Sequence, residues 1–344
     1  MQRYNPCEKV LNVHNVGKLQ LKWSYPTGGT SSSPVVEQGV VYTGSGGGTL
    51  YALKASNGAL LWSYQTAASP GNVASPAIAN GVVYYGSADG LVYALNASTG
   101  TKLWSYQTAA QVESSPTVVN GVVYIGSDDG NVYALNASTG AYLWSYATGG
   151  YVTSTPAVAN EMVYAGSYDG NVYALNASTG ALLWSYYVGG NYSVLASSPA
   201  VANGVVYVGA GDTDNVYALN ASTGAEVWTY NIGSGYTPNS SPAVANGVVY
   251  IGSGDGNLYA LNASTGAYLW SYNTGNIVET SPAVASGVVY FGTNNWVFYA
   301  VNAETGAYLW SHNTSYSERS SPAVANGMVY VGEDGGQFFA FGLK

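Results

Sequence analysis

The chain has 344 residues, of which 47% are hydrophobic and only 7% charged, with 8 Lys and Arg against 17 Asp and Glu for a formal charge of −9. So small a basic complement excludes nucleic acid as a partner, because phosphate binding needs clustered Lys and Arg. No apolar run is long enough to cross a membrane as a helix, and the single cysteine, Cys7, excludes an intrachain disulfide or a thiolate metal cluster.

Residues 1 to 17 read as an N-terminal arm. They lack the apolar core of a signal peptide, so the export signal expected of an extracytoplasmic protein is not part of this sequence. From residue 18 to 344 the chain reads as one domain built from a single repeating unit. A Ser-Pro or Thr-Pro step opens each copy, with its proline at Pro34, Pro76, Pro116, Pro156, Pro199, Pro242, Pro282 and Pro322, at intervals of 40 to 43 residues. A period in that range marks a repeat array, and four-stranded propeller blades fit it best.

The copy from Ser240 to Tyr272 shows the design. Val244-Ala245 runs through Asn246-Gly247 into Val248-Val249-Tyr250-Ile251, two apolar runs around a strong hairpin signal, which gives strands A and B. Gly254-Asp255-Gly256 turns the chain into strand C, Leu258 to Leu261. Asn262-Ala-Ser-Thr-Gly266 then leads to strand D, Tyr268 to Tyr272. The strands are apolar at consecutive positions, which requires both faces of each sheet to be covered, as blades stacked around an axis do. The ends complete the count. Val16 to Tyr25 matches a turn and strand D with no A, B or C before it, and the last copy stops after strand C at Phe341. The expected fold is therefore an all-β, eight-bladed propeller of four-stranded antiparallel blades, with residues 18–25 supplying the outer strand of blade 8 and closing the ring.

The segment Ala94-Leu-Asn96-Ala-Ser-Thr99-Gly100-Thr-Lys-Leu-Trp104 recurs in register before Trp144, Trp184, Trp228 and Trp270, and slightly altered before Trp62 and Trp310; Trp23 holds the same place in the N-terminal strand. It resembles the tryptophan-docking repeat, A-x-D-x-x-T-G-x-x-x-W, of the PQQ-like propellers related to quinoprotein dehydrogenases. The resemblance covers about the whole chain. One departure is uniform, with Asn at the family's Asp in six copies and Lys54 in the first. The physics of the motif is plain: Asn closes an Asx-turn, Gly takes a left-handed position, and Trp fills the wedge between blades. The family's enzymes are similar in core but add long insertions, a calcium held by carboxylate and amide groups, a catalytic Asp and often an adjacent Cys-Cys pair. Here the linkers are short, one Cys is present, and no residue matches a catalytic position.

Departures from the repeat are the candidate sites. All eight Asp residues fall in the turns between strands B and C, where Asp-Gly is a hairpin pair. The inserted Asp212-Thr-Asp214 is a weak calcium candidate, short of oxygen ligands. In blade 7 the turn reads Asn294-Asn295-Trp296, so an aromatic replaces glycine. Three residues before the Ser-Pro proline stand Glu113 in blade 3, Glu279 in blade 7 and Arg319 in blade 8, with Glu318 beside it. Glu279, Trp296, Glu318 and Arg319, with Glu113 across the ring, are expected to form a platform for a polar ligand on the face carrying the D–A and B–C loops. The sequence expectation is thus a monomeric binding or scaffold module outside the cytoplasm, without enzymatic activity and without a cofactor, for a protein partner or a small polar ligand. The alternatives are a PQQ- and calcium-dependent dehydrogenase, or a designed or recently amplified propeller.

Overall fold

A computed structural model describes residues 4–29, 32–67, 74–189, 197–210, 213–233, 240–317 and 320–344. Eight antiparallel sheets follow one another in chain order, and the described residues contain no helix beyond a three-residue 3-10 turn, Val16–Lys18. In blade 6 the strands are A, Ala243–Ala245, B, Val248–Gly252, C, Asn257–Asn262, and D, Tyr268–Asn273. Asn246 and Gly247 have φ of +50° and +78°, the two positive values that a tight two-residue hairpin between A and B demands. Between C and D the register shifts beside Trp270, which pairs with Ala260 while Tyr268 pairs with Leu261. Leu269 is the extra residue of a β-bulge, and the same irregularity recurs in the other blades.

The ring closes as the sequence requires. Gln20–Pro26 pairs antiparallel with Gln337–Gly342, Trp23 opposite Ala340, and becomes strand D of blade 8. The chain before it is held in place. Tyr4 and Asn5 run parallel to strand A of blade 7, opposite Val284 and Ala285, so that blade has a fifth strand inside the central channel. The buried Glu8 accepts the amides of Val10 and Leu11 on one carboxylate oxygen, at 2.7 and 3.0 Å, and that of Gly327 on the other, at 3.0 Å. Its carbonyl receives the hydroxyl of Ser286. Leu11, Val16 and Leu19 then bury themselves under blades 7 and 8.

The core lies between blades. Each buried cluster joins two neighbours, as where Tyr250, Leu258 and Trp270 of blade 6 meet Val289, Phe291 and Val301 of blade 7. Seven tryptophans donate their indole N–H to the next blade: Trp23, Trp62, Trp104, Trp144, Trp184, Trp228 and Trp270 reach the carbonyls of Ala55, Ala97, Ala137, Ala177, Ala221, Ala263 and Ala303 at 2.8–3.2 Å. A strand B tyrosine shares each of those carbonyls, as Tyr250 does with Ala303 at 2.9 Å. The glycine of the Thr-Gly pair caps the indole: Gly140 has φ +72°, and a Cβ there would sit 2.7 Å from the Trp104 ring. Only glycine satisfies both demands.

Candidate functional site

Two places on the propeller depart from pure repetition, the central channel and the D–A/B–C face. The channel mouth is a belt of serines. The N–H of Ser33 donates to the hydroxyl of Ser75 and that of Ser75 to Ser115, at 3.1 and 2.8 Å. Across the ring the same bond runs from Thr155 to Ser198, Ser241, Ser281 and Ser321, and Ser321 returns to Ser33 at 2.9 Å. Proline follows each donor because that position, at the start of strand A, has no inner neighbour that needs an N–H. Within the belt lies a cavity of about 470 Å³ lined by Pro34, Pro76, Pro116, Pro199 and Pro322 and by aliphatic groups such as Ile78 and Val284, with Tyr4 and Asn5 at one side.

This channel does not suit a quinone with calcium. Calcium takes six or more oxygens, usually including carboxylates, and the residues around the cavity include none. Among the described residues no group of three His, Cys, Asp or Glu side chains could hold a metal. Asp214 lies at φ +52° with its carbonyl accepting the Ile232 amide, while its proposed partner Asp212 lies outside the described residues.

The aspartates of the B–C turns serve the fold. Asp129 accepts the Asn131 amide at 3.0 Å, the Tyr133 hydroxyl at 2.7 Å, and the Ala109 amide of the incoming loop at 2.9 Å. Asp89 and Asp169 make the same three contacts. Burial pushes the Asp129 carboxyl up, but these bonds and one from the Asn131 side chain outweigh it, and the pKa falls below the ordinary value. Its neighbour Asp128 goes the other way. Burial, then the charges of Glu113 and Asp129, raise Asp128 to about 6, and one of its carboxylate oxygens is buried without a hydrogen bond. Two adjacent aspartates in one turn thus differ because hydrogen bonds outweigh burial at Asp129, whereas at Asp128 burial acts together with the charges of Glu113 and Asp129.

Glu113 is thereby placed beside Asp128, a neighbour that sequence reasoning did not single out. Glu279 is half-buried at the start of blade 7. Glu318 and Arg319 lie outside the described residues. Trp296 is 52% exposed and sits at φ +67°, a left-handed conformation costly for a bulky side chain. Thr314 ties it to a second aromatic, since the Thr314 hydroxyl donates to the carbonyls of Trp296 and Tyr316 at 3.1 and 2.9 Å. Tyr316 is 54% exposed and lies flat on Gly335, where a Cβ would meet its ring. The buried Glu333 accepts the Ser315 amide at 3.0 Å and fixes this loop. Tyr316 could have been found as Trp296 was, because Gly150 and Asn276 stand at its place in other copies. A second aromatic pair, the exposed Tyr151 and the half-buried Tyr168 with ring centroids 6.0 Å apart, lies on the same face at blade 4.

Trp310 is a correction to the docking set. It packs on Phe341 and Phe298 at centroid distances of 5.2 and 6.2 Å, not beneath an Asn-Ala-Ser-Thr-Gly turn, because strands C and D of blade 8 come from distant parts of the sequence and no such turn joins them.

Closed ring, docked indoles and capping glycines define an eight-bladed propeller of the tryptophan-docking class. The chain belongs to the PQQ-like propeller family, matching the family model described as outer membrane protein assembly factor BamB over residues 14–117, 108–237 and 212–344. Among curated proteins it is similar to the dehydrogenase subunit of alcohol dehydrogenase (quinone) from Gluconobacter oxydans, 40% identical over 75 residues; these are 21% of this chain and 10% of that one. Among solved structures it is similar in fold to a computationally designed protein, Ika8, with a TM-score of 0.84 at 20% identity, covering 94% of this chain and 100% of that one. It is also similar to BamB from Moraxella catarrhalis, with a TM-score of 0.80 at 20% identity over 94% and 100% of the two chains. The expectation that the chain has no enzymatic activity is overturned by its match to quinone-type alcohol dehydrogenases, a class that recurs among the relatives and the solved structures. No helix among the described residues is long and apolar enough to cross a membrane.

Proposed function

We propose that the chain is an extracytoplasmic, monomeric binding propeller that holds its partner or ligand on the D–A/B–C face over blades 7 and 8. The observation that carries this reading is Trp296. An exposed turn gains nothing from a tryptophan in a left-handed conformation, so the strain, of order 1 kcal/mol, marks a residue kept for contact. Trp296 and Tyr316 offer two aromatic surfaces held by one threonine, with Glu279 on the same blade to orient polar groups. That combination suits a polar ligand with an apolar face, such as a glycan, or a protein segment. The family's description as an outer membrane assembly factor supports a protein partner outside the cytoplasm.

The test is a calorimetric screen of glycans, polyols and peptides against the parent protein, Trp296→Gly and Tyr316→Ala. Binding that weakens at least tenfold in Trp296→Gly is the expected result. Binding unchanged in both variants moves the site elsewhere.

A second reading, quinone-linked alcohol oxidation, is favoured by the 75-residue match to the Gluconobacter oxydans protein and would need calcium ligands from outside the cavity lining. Its test is reconstitution with quinone and Ca²⁺. A quinone chromophore retained through desalting, with alcohol-dependent reduction of a dye, establishes it.

A further inference from the structure

Charge is divided between the two faces of the disc. Asp89, Asp129, Asp169 and Asp255 stand in B–C turns on one face. Every lysine of the chain stands toward the other, where the A–B and C–D turns lie. Lys102 begins a strand D and Lys22 lies in the first half of another, Lys54 ends a strand C, Lys344 follows the last strand, and Lys9 and Lys18 belong to the segment that crosses this face. All six are exposed. They are also gathered in one sector, blades 8, 1 and 2 with the arm beside them. The glutamates of that face lie mostly elsewhere, Glu161, Glu226 and Glu304 on blades 4, 5 and 7, leaving Glu37 on blade 1. Glu8 is buried with its oxygens occupied by backbone amides.

Like the rest of the rim, this sector exposes apolar side chains at the start of strand D, here leucines beside the lysines, and the fold gives the reason. The bulge at the start of each strand D turns two consecutive residues outward ahead of the docked tryptophan. Leu60 and Leu61 are 46% and 50% exposed, Leu21 47% and Leu103 51%, interleaved with Lys22, Lys54 and Lys102. Because these positions are equivalent in successive blades, they stand at one height on the rim. The result is a flat arc of alternating apolar and cationic side chains.

We propose that this rim docks onto an anionic lipid bilayer. A bilayer is the partner that is at once planar, negative at its surface and apolar just beneath, so that lysines meet headgroups while leucines enter the boundary. The net negative charge of the protein does not oppose this. The acidic turns lie a strand length away, ~20 Å, about two Debye lengths at 0.1 M salt, ~10 Å each. The surface is opposite the one bearing Trp296, so docking leaves that face open and stands independently of what binds there.

The experiment is co-sedimentation of the full chain with vesicles of phosphatidylcholine alone and of phosphatidylcholine mixed with phosphatidylglycerol. The expected result is binding to the mixed vesicles only, weakened by added salt. The variant Lys22→Glu/Lys54→Glu/Lys102→Glu loses it at least tenfold, and Leu21→Ser/Leu61→Ser/Leu103→Ser weakens it several-fold. Melting curves that match the parent show that both variants are folded, and a single reversal, Lys102→Glu, lowers binding in part should the triple variant fail to fold. Equal binding to both vesicles, binding indifferent to charge reversal, or none at all overturns the proposal. So does concentration-dependent self-association at low salt that the reversal abolishes, which assigns the rim to the acidic face of a second copy.

Discussion

Blade 6 and blade 7 present the same residue types to their neighbours and solve their contacts differently. In blade 6, Trp270 and Tyr250 converge on one carbonyl, that of Ala303, which the next blade's C–D turn holds out to them. Beside blade 7 no such C–D turn stands, because strands C and D of blade 8 come from distant parts of the sequence, Gln337–Gly342 and Gln20–Pro26. The Tyr290 hydroxyl is consequently buried with no hydrogen bond, and burial, then the charge of Glu8, pushes its pKa far up. Trp310 turns to aromatic packing against Phe341, with His312 stacked on it at 6.1 Å. The lesson is that the docking motif is a property of two blades. Its tryptophan loses its hydrogen bond without the carbonyl of a turn the neighbour supplies, and the ring can afford one such joint because the N-terminal segment covers it with Leu11, Val16 and Leu19.

The comparison breaks most visibly if the joint is opened. Deleting residues 1 to 25 removes the outer strand of blade 8, the Glu8 clasp and the docked Trp23. A loss of several kcal/mol is expected from the exposed edge and emptied wedge, seen as oligomers in light scattering and a large drop in melting temperature. An unchanged monomer contradicts the strand order.

Next in size is the contrast between two tryptophans. Trp104→Ala empties a regular wedge and should cost about 3–5 kcal/mol. Trp310→Ala, at a half-buried side chain without the shared carbonyl, should cost roughly half as much. Urea unfolding of the two variants side by side checks this, and equal losses refute the distinction.

Removing a hydroxyl sharpens the comparison further, since the sign should reverse. Tyr250→Phe forfeits a buried hydrogen bond and is expected to destabilise by about 1 kcal/mol. Tyr290→Phe removes an oxygen that has no partner, so it should be neutral or stabilising by a similar amount.

The smallest effect concerns the paired carboxylates of blade 3. The Asp128 pKa is raised from 3.8 to about 6, so its protonated form favours the folded state. That contribution is complete below the unfolded pKa and is lost as pH rises from about 4 through 6. At pH 7 the group is charged against burial and against Glu113, and Asp128→Asn should raise stability by ~1 kcal/mol after discounting for partial exposure. Melting curves of the two proteins should converge near pH 4.

Much of this was legible beforehand. The eight Pro-marked copies, the Asn-Gly hairpins and the displaced strand D at the N-terminus are local patterns with local causes, so the blades, their order and the closure follow from reading along the chain. Trp296 was legible too, because comparison among copies exposes a residue that breaks a turn's glycine rule. The same comparison reaches Tyr316 once one notices that its place holds Gly150 or Asn276 elsewhere.

The sequence by itself determined the repeat, its strands and the ring they close, because hydrophobic pattern and turn chemistry act between residues close in the chain. The tertiary structure alone decided what happens between blades. It brought Tyr4 and Asn5 beside Val284 and Ala285 in the channel, set Glu113 against Asp128, and left Tyr290 without the acceptor its seven counterparts share. It also gathered lysines from residues 9 to 344 onto one arc of the rim. Each of these depends on distances between residues tens to hundreds of positions apart, which the closing of the ring fixes and no local pattern records.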